Sequence, residues 1–494
     1  MNILYPVYLK NYRKGFATNS SSTHSVIYKN KDDMFNDLNI FEYDYYDRCD
    51  NTIAASKEAK IKYIAANIMY NDKLYEIMSM YYPQMKEYSS LVKKALEKVD
   101  YSFGMYYRGQ LYFVGNENIE ASIDYLKYII ENDDIIIVGG SDEMDFVYDT
   151  VVGHKEIHQP NEISDDIITK NGNYWVGYNN FIGKIRFSFN EDNKLIPEYP
   201  ELIDLKITDK CEHGCKFCYM DANMNGKHAD IDFLKNLVKQ LGLLENCNNK
   251  KRVEFSIGGG NILLYPNLSE LFEYIHENGH IVNTTINAKD CKKILDDENL
   301  FDVFKKYVNG IGVSVTSTDD LVLVKSLYDK IYEKYNIVKK QLVIHLIPEL
   351  LGKELTCEII KKGRTLHLHE YLLLGFKSTG RGALQNPITF NNYDLNNIFD
   401  KSNWISVDTT FAKTYKDWIE KNYETEHTIT FNEGEFSMYI DGVNKYAYKS
   451  SYQLEKPYNM SIERWTNKEC KDYNNIIGIF QSIRKDNGFE TYEK

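Results

Sequence analysis

Segments with the pattern of β-strands and of α-helices alternate through the middle of this 494-residue chain. The strand candidates cover 203–208, 252–257, 280–287, 310–317, 341–348 and 370–376. Helical patterns lie between them, near 230–242, 268–278, 288–308, 319–335 and 354–363. Repeated strand–helix units predict a parallel sheet with right-handed crossovers, and six units fit an open barrel better than a closed eight-stranded one. We therefore predict an α/β fold built on a partial (β/α)6 TIM-type barrel.

Three of the eight cysteines, Cys211, Cys215 and Cys218, follow the first predicted strand within eight residues. Soft sulfur ligands packed this closely select an iron–sulfur cluster or zinc. A structural zinc ion takes four protein ligands and a cubane cluster has four irons. Three cysteines therefore either lack a partner or leave one metal position open. In barrels of this kind the chemistry gathers at the carboxyl ends of the strands, where this loop falls.

Composition indicates a cytoplasmic protein without a membrane partner. The net charge of −13 argues against a surface that tracks nucleic acid throughout, although a local basic groove remains compatible with it. No run of about 18 apolar residues is present, and the first residues lack the order of a secretion signal. Thiols in that compartment stay reduced, so the remaining cysteines are expected to be buried or free. These are Cys49, Cys247, Cys291, Cys357 and Cys470.

The regions flanking the barrel predict three further segments. Residues 1–165 have a helical pattern over 56–99 and strand-like pieces at 109–114 and 134–138, which indicates an α+β accessory domain. Residues 166–196 contain a hairpin that leads into the barrel, which we place at 197–388. Residues 389–494 form a C-terminal extension, in which 404–410 and a hairpin turning at Asp441-Gly442 cap or extend the barrel.

A polar run at residues 15–25, with several serines, predicts a surface loop or a capping turn. The alternative is a recognition tag or a segment modified by the enzyme itself.

The spacing Cys-x3-Cys-x2-Cys, followed by the aromatic Tyr219, resembles the radical SAM superfamily over roughly residues 197–385. The resemblance implies that the three cysteines bind a [4Fe-4S] cluster whose fourth iron is chelated by S-adenosyl-L-methionine. It also implies reductive cleavage to a 5′-deoxyadenosyl radical, with an electron from an external reductant of the flavodoxin or ferredoxin type. Past the barrel only Cys470 remains, so we expect a single cluster.

The family has a Gly-Gly-Glu-Pro type loop at the end of its second strand, where this chain has Gly258, Gly259, Gly260 and Asn261. The acid and the proline of that loop are replaced here, yet the backbone carbonyls of the glycines can still accept from the methionyl ammonium. The Gly-Gly-Gly-Asn form resembles an uncharacterised subgroup, often associated with phage or mobile elements.

The resemblance also assigns roles to polar residues at later strand ends. Asn287 and Ser314 fall where the family contacts the ribose and the methionyl carboxylate; the alternative for each is a strand-end turn contact. Lys377 and Arg381 follow the sixth strand and are candidates for binding an anionic substrate or the cofactor carboxylate. The alternative for this pair is a solvated loop cation.

Three functions follow from these observations. The first is a radical SAM enzyme that abstracts hydrogen from a peptide or protein, because the long flanks suggest an extended partner. The second is the same chemistry on a nucleotide or nucleic acid. The third belongs to another class: a non-catalytic binding module stabilised by zinc, with His213 or His228 as the fourth ligand.

Overall fold

The computed structural model describes residues 5–13, 24–26, 34, 52–68, 72–87, 119–139, 167–179, 183–188, 194–242, 252–332, 341–399, 405–426, 428–460 and 476–492. The chain divides into two compact units whose segments interleave. Unit 1 comprises 1–10, 29–168 and 185–193, and unit 2 comprises 11–28, 169–184 and 194–494. The predicted domain limits at 165, 196 and 388 stay predictions.

The described residues form both strands and helices, numbered in chain order. The strands are β1 Tyr5–Arg13, β2 His24–Val26, β3 Thr52–Ala54, β4 Ile135–Gly139, β5 Ile167–Asn171, β6 Tyr174–Asn179, β7 Gly183–Ser188, β8 Leu202–Thr208, β9 Glu254–Gly259, β10 Ile281–Asn287, β11 Val308–Ser314, β12 Gln341–Leu346, β13 Tyr371–Leu373, β14 Ile405–Asp408, β15 Ser437–Asp441, β16 Tyr446–Tyr448 and β17 Tyr458–Asn459. The α-helices are α1 Lys57–Ile68, α2 Asp72–Tyr81, α3 Ile119–Glu131, α4 Ile231–Gly242, α5 Leu268–Glu277, α6 Ala288–Asp296, α7 Glu298–Tyr307, α8 Asp320–Tyr332, α9 Pro348–Leu351, α10 Lys353–Thr365, α11 Asn392–Phe399, α12 Thr409–Thr414, α13 Lys416–Asn422 and α14 Ile476–Asp486. Short 3-10 helices cover Ile262–Leu264 and Gly380–Leu384.

Unit 1 packs helices α1, α2 and α3 around an apolar core that includes Ile64, Leu126 and Ile137. Strand β4 pairs antiparallel with β3 and with the first residues of β1. The helical pattern predicted over 56–99 is two helices as far as residue 87, and the strand predicted at 134–138 is β4. Residues 88–99 and the strand predicted at 109–114 lie outside the described residues.

Unit 2 is organised around a largely parallel sheet, as predicted. Its strands follow the order β17-β16-β15-β8-β9-β10-β11-β12-β13-β14-β2, and every neighbouring pair from β15 to β14 is parallel. All seven residues of β8 are buried, which is typical of a parallel strand covered on both faces. The six predicted strands correspond to β8–β13, so the partial barrel is confirmed.

Two more parallel strands extend the six. Helix α11 continues the alternation to β14, and β15 returns to the other side of β8. The predicted hairpin is confirmed as β15 and β16, with Asp441 Oδ1 accepting from the backbone amides of Val443 and Asn444 at 3.1 and 3.0 Å. The C-terminal region therefore extends the barrel sheet at both edges, because β14 pairs with β13 and β15 pairs with β8. All residues of β14 and β15 are buried.

Two local expectations were wrong. The helix expected over 288–308 is broken at Asp297, which is extended and caps α7 by accepting from the amides of Asn299 and Leu300 at 3.0 and 3.1 Å. Within the polar run expected to be a loop, His24 and Ser25 belong to β2, which pairs antiparallel with β14. Residues 14–23 of that run lie outside the described residues.

A buried ionic network lies at the amino ends of the central strands. Lys184 Nζ is 2.5 Å from Glu201 Oε2 and 3.9 Å from Glu254 Oε1, and all three side chains are at most 2% exposed. Arg13 forms an ion pair with Glu254, whose other oxygen accepts from Asn283 at 3.1 Å. Within unit 2, these contacts join Arg13 and Lys184 to the amino ends of β9 and β10, away from the cysteine loop.

No helix in the part of the chain that the structure describes is long and apolar enough to cross a membrane.

Candidate functional site

The three cysteines line one cavity at the carboxyl ends of the parallel strands. Cys211, Cys215 and Cys218 are partly buried free thiols on the loop after β8. The same cavity is lined by residues from the ends of β9, β10 and β11 and from the segments around β12 and β13. Of the residues predicted for the site, the cavity brings together Tyr219, Gly258, Gly259, Gly260, Asn261, Asn287, Ser314 and Lys377 with the three cysteines. Arg381 is not among the residues that line it.

The glycine loop after β9 packs directly against the start of the cysteine loop. Gly260 N–H donates to Thr208 at 2.7 Å, and Asn261 N–H donates to Lys210 at 2.8 Å. A Cβ on Gly260 would lie 2.2 Å from the Lys210 carbonyl oxygen. Gly259 has a φ of +122°, and a Cβ there would lie 2.4 Å from the Thr208 oxygen. These glycines therefore allow the close approach of two backbones, besides exposing their own backbone to the cavity.

Arg381, in the segment after β13, donates hydrogen bonds to the cysteine loop. Its Nε donates to the Cys215 carbonyl and its Nη2 to the Ala222 carbonyl, both at 2.9 Å, while Nη1 lies 2.7 Å from Asp221 Oδ1. Its backbone amide also donates to the Cys218 carbonyl at 2.9 Å. These hydrogen bonds position the cysteine loop, and the substrate or cofactor contact expected of Arg381 stays a prediction.

A polar network missed by the sequence reasoning supports the loop between Cys211 and Cys215. His213 Nε2 lies 2.8 Å from Asp290 Oδ2, and Lys293 Nζ lies 2.9 Å from Asp290 Oδ1. Asn261 Nδ2 donates to Glu212 Oε1 at 3.0 Å and to Asp290 Oδ1 at 3.1 Å. Asp290 and Lys293 are three positions apart at the start of α6, a spacing that could have indicated a shared face.

Asp290 carries the negative charge of this network in a buried position. Burial opposes its ionisation, but hydrogen bonds from His213 and Lys293 outweigh that effect and hold its pKa below the usual range. The carboxylate is therefore ionised at neutral pH next to the cysteine loop.

Burial keeps two of the three thiols protonated more strongly than usual. It raises the pKa of Cys211 and of Cys215, and neighbouring thiols add to the effect, although the charges of Arg381 and Lys289 oppose it at Cys215. The backbone amide of His213 donates toward the Cys211 sulfur. Metal binding to such thiols would release their protons and supply positive charge beside the sulfurs. Three clustered free thiols around an open cavity fit a cluster with one iron left for another ligand.

Asn287 and Ser314 end neighbouring strands and lie opposite one another in the β10–β11 register. Asn287 also caps α6, because its side-chain oxygen accepts from the Lys289 amide at 3.0 Å. The turn contact that was the alternative for Asn287 is therefore present, and the residue still lines the cavity.

The cavity lining also contains His345 and Lys377. Burial lowers the pKa of His345 to about 3, so its imidazole is neutral at physiological pH. Burial also lowers the pKa of Lys377, against the opposing fields of Asp408, Glu433 and Asp204. For Glu433 itself, burial raises the pKa to about 7.

The histidines considered as zinc ligands have other partners. His213 bonds to Asp290, as described, and His228 Nδ1 lies 2.9 Å from Thr208 Oγ1. His228 is not among the residues that line the cavity. Of the scattered cysteines, Cys291 and Cys357 are free thiols as expected, and Cys49, Cys247 and Cys470 lie outside the described residues.

The segment that builds this site matches a known family. Residues 205–343 match the model of the Radical SAM superfamily, and they contain the cysteine loop, the glycine loop, Asn287 and Ser314. The segment that builds this site is therefore a domain of the radical SAM type.

Solved structures with a related fold include two enzymes. Streptococcus suis SuiB bound to S-adenosylmethionine is 11% identical, with 83% of this chain and 82% of that chain covered and a TM-score of 0.38. SuiB bound to the precursor peptide SuiA is 12% identical, with 72% and 80% covered and a TM-score of 0.42. Native anSMEcpe with bound AdoMet is 13% identical, with 57% and 84% covered and a TM-score of 0.36. No curated protein sequence matches the chain.

Proposed function

We propose that this enzyme cleaves S-adenosyl-L-methionine reductively at a single [4Fe-4S] cluster and modifies its substrate by hydrogen abstraction. The observation that supports this most directly is the placement of Cys211, Cys215 and Cys218 on one wall of a cavity within the family-matched segment. When bound, the cluster supplies one electron that splits the cofactor into methionine and a 5′-deoxyadenosyl radical.

Different residues around the cavity would bind the cluster and S-adenosyl-L-methionine. The three cysteines would ligate the cluster and leave one iron for the cofactor. The carbonyls of Gly258–Gly260 would accept from the methionyl ammonium, and Asn287 and Ser314 would contact the ribose and the methionyl carboxylate. Tyr219, next to Cys218, would cover the adenosyl end. The apolar and glycine-rich lining would exclude water from the reacting atoms.

Asn261 takes the position of the proline in the family loop, directly after Gly260, which replaces the acid. Its amide is turned toward the carboxylates of Glu212 and Asp290, and its Oδ1 accepts from the Leu263 amide at 3.0 Å. Its side chain is therefore satisfied within the protein. We infer that the ammonium-binding role falls on the glycine carbonyls, with Asn261 fixing the loop that presents them.

A peptide or protein is the proposed substrate, and a nucleotide is the alternative. Support comes from the size of the chain outside the barrel, which includes the whole of unit 1 and offers contact surface for an extended partner. An external one-electron reductant of the flavodoxin or ferredoxin type completes the reaction. The cytoplasmic location expected from the sequence stays a prediction.

Anaerobic reconstitution with iron and sulfide tests the cluster assignment. We expect about four irons and four sulfides per wild-type chain, and reductive formation of 5′-deoxyadenosine with dithionite. The Cys218→Ala variant should lose both. Cys357→Ala is the matched control, because Cys357 lies on α10 outside the cavity and should be dispensable. Zinc without labile sulfide, or an unchanged cluster in Cys218→Ala, would refute the proposal.

A further inference from the structure

Lys377 presents a buried ammonium group to the cavity. The residue is 9% exposed and belongs to the lining segment 374–377 after β13. Its Nζ lies 4.8 Å from the ring centre of Tyr219 and 5.0 Å from that of Tyr452. Among the described residues, no carboxylate oxygen lies within 4.0 Å of this nitrogen, and no acceptor takes a hydrogen bond from it. Two aromatic faces stabilise the charge, but its three N–H donors remain available.

The nearest carboxyl groups that influence Lys377 are committed to other partners. Asp408 Oδ1 accepts from the Gly375 amide at 2.9 Å and from the Phe411 amide at 2.7 Å, which caps α12. Glu433 Oε1 accepts from the Tyr452 hydroxyl at 3.2 Å. Neither carboxyl lines the cavity. Their negative charge favours the protonated form of Lys377, but they accept no hydrogen bond from its Nζ.

Lys377 lies beside one proposed cofactor contact, Tyr219, and on different strand ends from the others. Those others come from the ends of β9, β10 and β11, whereas Lys377 follows β13 and lines the cavity together with Phe376 and with His345 from β12. His345 is buried and contributes no charge at neutral pH. A ligand group that reaches this wall therefore meets the Lys377 ammonium, while Asp408, Glu433 and Asp204 act on that charge from outside the cavity lining.

We propose that Lys377 binds a carboxylate of the substrate and so selects acidic substrates, such as a peptide that presents an aspartate or glutamate side chain or a C-terminus. The proposal rests on the radical SAM function proposed above. A carboxylate in direct contact with Nζ would satisfy donors for which the described residues supply no acceptor, in surroundings where a charge-assisted hydrogen bond is strong. The methionyl carboxylate of the cofactor offers the same chemistry, so the experiment must distinguish the two sources.

Stability of the Lys377→Met variant separates a binding role from a structural one. An ammonium that is buried without an acceptor destabilises the fold, so replacing it with an apolar side chain of similar length should leave the melting temperature unchanged or raise it. A lysine that held the structure together would give the opposite shift.

Binding measurements on anaerobically reconstituted full-length protein test the proposal itself. The probes are N-acetylglutamate methylamide and its uncharged isostere N-acetylglutamine methylamide, titrated by ligand-observed NMR into protein loaded with S-adenosyl-L-methionine. The variants are Lys377→Met and Lys377→Arg, with the exposed Lys227→Met as a matched control. Dialysis with labelled cofactor gives the affinity of each variant for S-adenosyl-L-methionine.

Wild-type protein and Lys227→Met should bind the glutamate probe at least tenfold more tightly than the glutamine probe. Lys377→Met should lose this preference while its cofactor affinity changes less than twofold, and Lys377→Arg should keep part of it. A tenfold loss of cofactor affinity in Lys377→Met would overturn the proposal and assign the bound carboxylate to the cofactor. The proposal would be overturned if wild-type protein bound the two probes equally while Lys377→Met kept its cofactor affinity. It would also be overturned if Lys377→Met still preferred the glutamate probe.

Failure of the underlying function would look different. Protein without a cluster, or without reductive cofactor cleavage, would refute the radical SAM proposal before any probe is added. A loaded, active protein that ignores the charge of the probe would refute only the role of Lys377.

Discussion

The guanidinium of Arg381 donates to the backbone carbonyl of Cys215 at 2.9 Å, although the two residues are 166 positions apart in the chain. This contact joins the segment after the sixth barrel strand to the cysteine loop after the first. The Cys218 and Ala222 carbonyls are held by the same residue. The shape of the cysteine loop therefore depends on how the segment after β13 packs against it, as well as on its own sequence.

Replacing Arg381 should loosen the loop more than the barrel. Each hydrogen bond from the guanidinium is charge-assisted, so Arg381→Met should lower the local stability of the loop by about 2 to 3 kcal/mol. We expect faster hydrogen exchange at residues 215–222 and less than half of the wild-type iron after reconstitution. Arg381→Lys should be intermediate, because an ammonium keeps the charge but cannot match the planar fork. Wild-type exchange in this loop for Arg381→Met would contradict the positioning role.

Asp290→Asn should weaken cluster retention. An amide cannot accept from both His213 and Lys293 as the carboxylate does, so the loop between Cys211 and Cys215 loses its support. Losing such an outer partner usually weakens metal sites by roughly tenfold or more. Iron loss to a chelator should accelerate accordingly, and the reduction potential should rise because a nearby negative charge is gone. Asp296→Asn, an exposed change on the same helix, should show neither effect.

Glu433 should make the protein less stable as the pH rises. Its pKa is about 7 in the folded protein against an ordinary value of 4.5. The unfolded chain therefore ionises first, and the free energy of unfolding falls between about pH 4.5 and pH 7. The loss is complete above that range and amounts to about 3 kcal/mol. Glu433→Gln should flatten this part of the profile in urea unfolding, whereas the exposed Glu455→Gln should not. Identical profiles for wild type and Glu433→Gln would exclude the assignment.

Lys184→Met should destabilise unit 2 strongly. Lys184 and Glu201 are at most 2% exposed, so removing the ammonium leaves a buried carboxylate without its partner. We expect a loss of about 3 kcal/mol or more in the free energy of unfolding. Lys194→Met is the matched control, since the Lys194–Glu490 pair has nearly the same distance but is more than half exposed. Its loss should stay below about 1 kcal/mol, and equal losses for the two variants would contradict the importance of burial.

The strands of the barrel were readable from the sequence because each is a short apolar run between helical patterns. Strand β15 was recognisable as one arm of a hairpin, but its parallel pairing with β8 was not, because nothing local specifies which open edge it joins. The break at Asp297 had a capping signal, and it was overlooked within an otherwise continuous helical pattern.

By itself the sequence determined the cysteine loop, its place after a strand and the family to which these features belong. Only the tertiary structure decided what surrounds that loop: Arg381 as its clamp, Asp290 as its buried charge, and Lys377 as the cation left open to the cavity. Spacing along the chain reports which side chains share an element, whereas hydrogen-bond partners hundreds of residues apart are chosen by how the elements pack. Arg381 and Lys377 look alike in the sequence because both are cations after the sixth strand. In the structure Arg381 donates to carbonyls of the cysteine loop, whereas Lys377 lines the cavity.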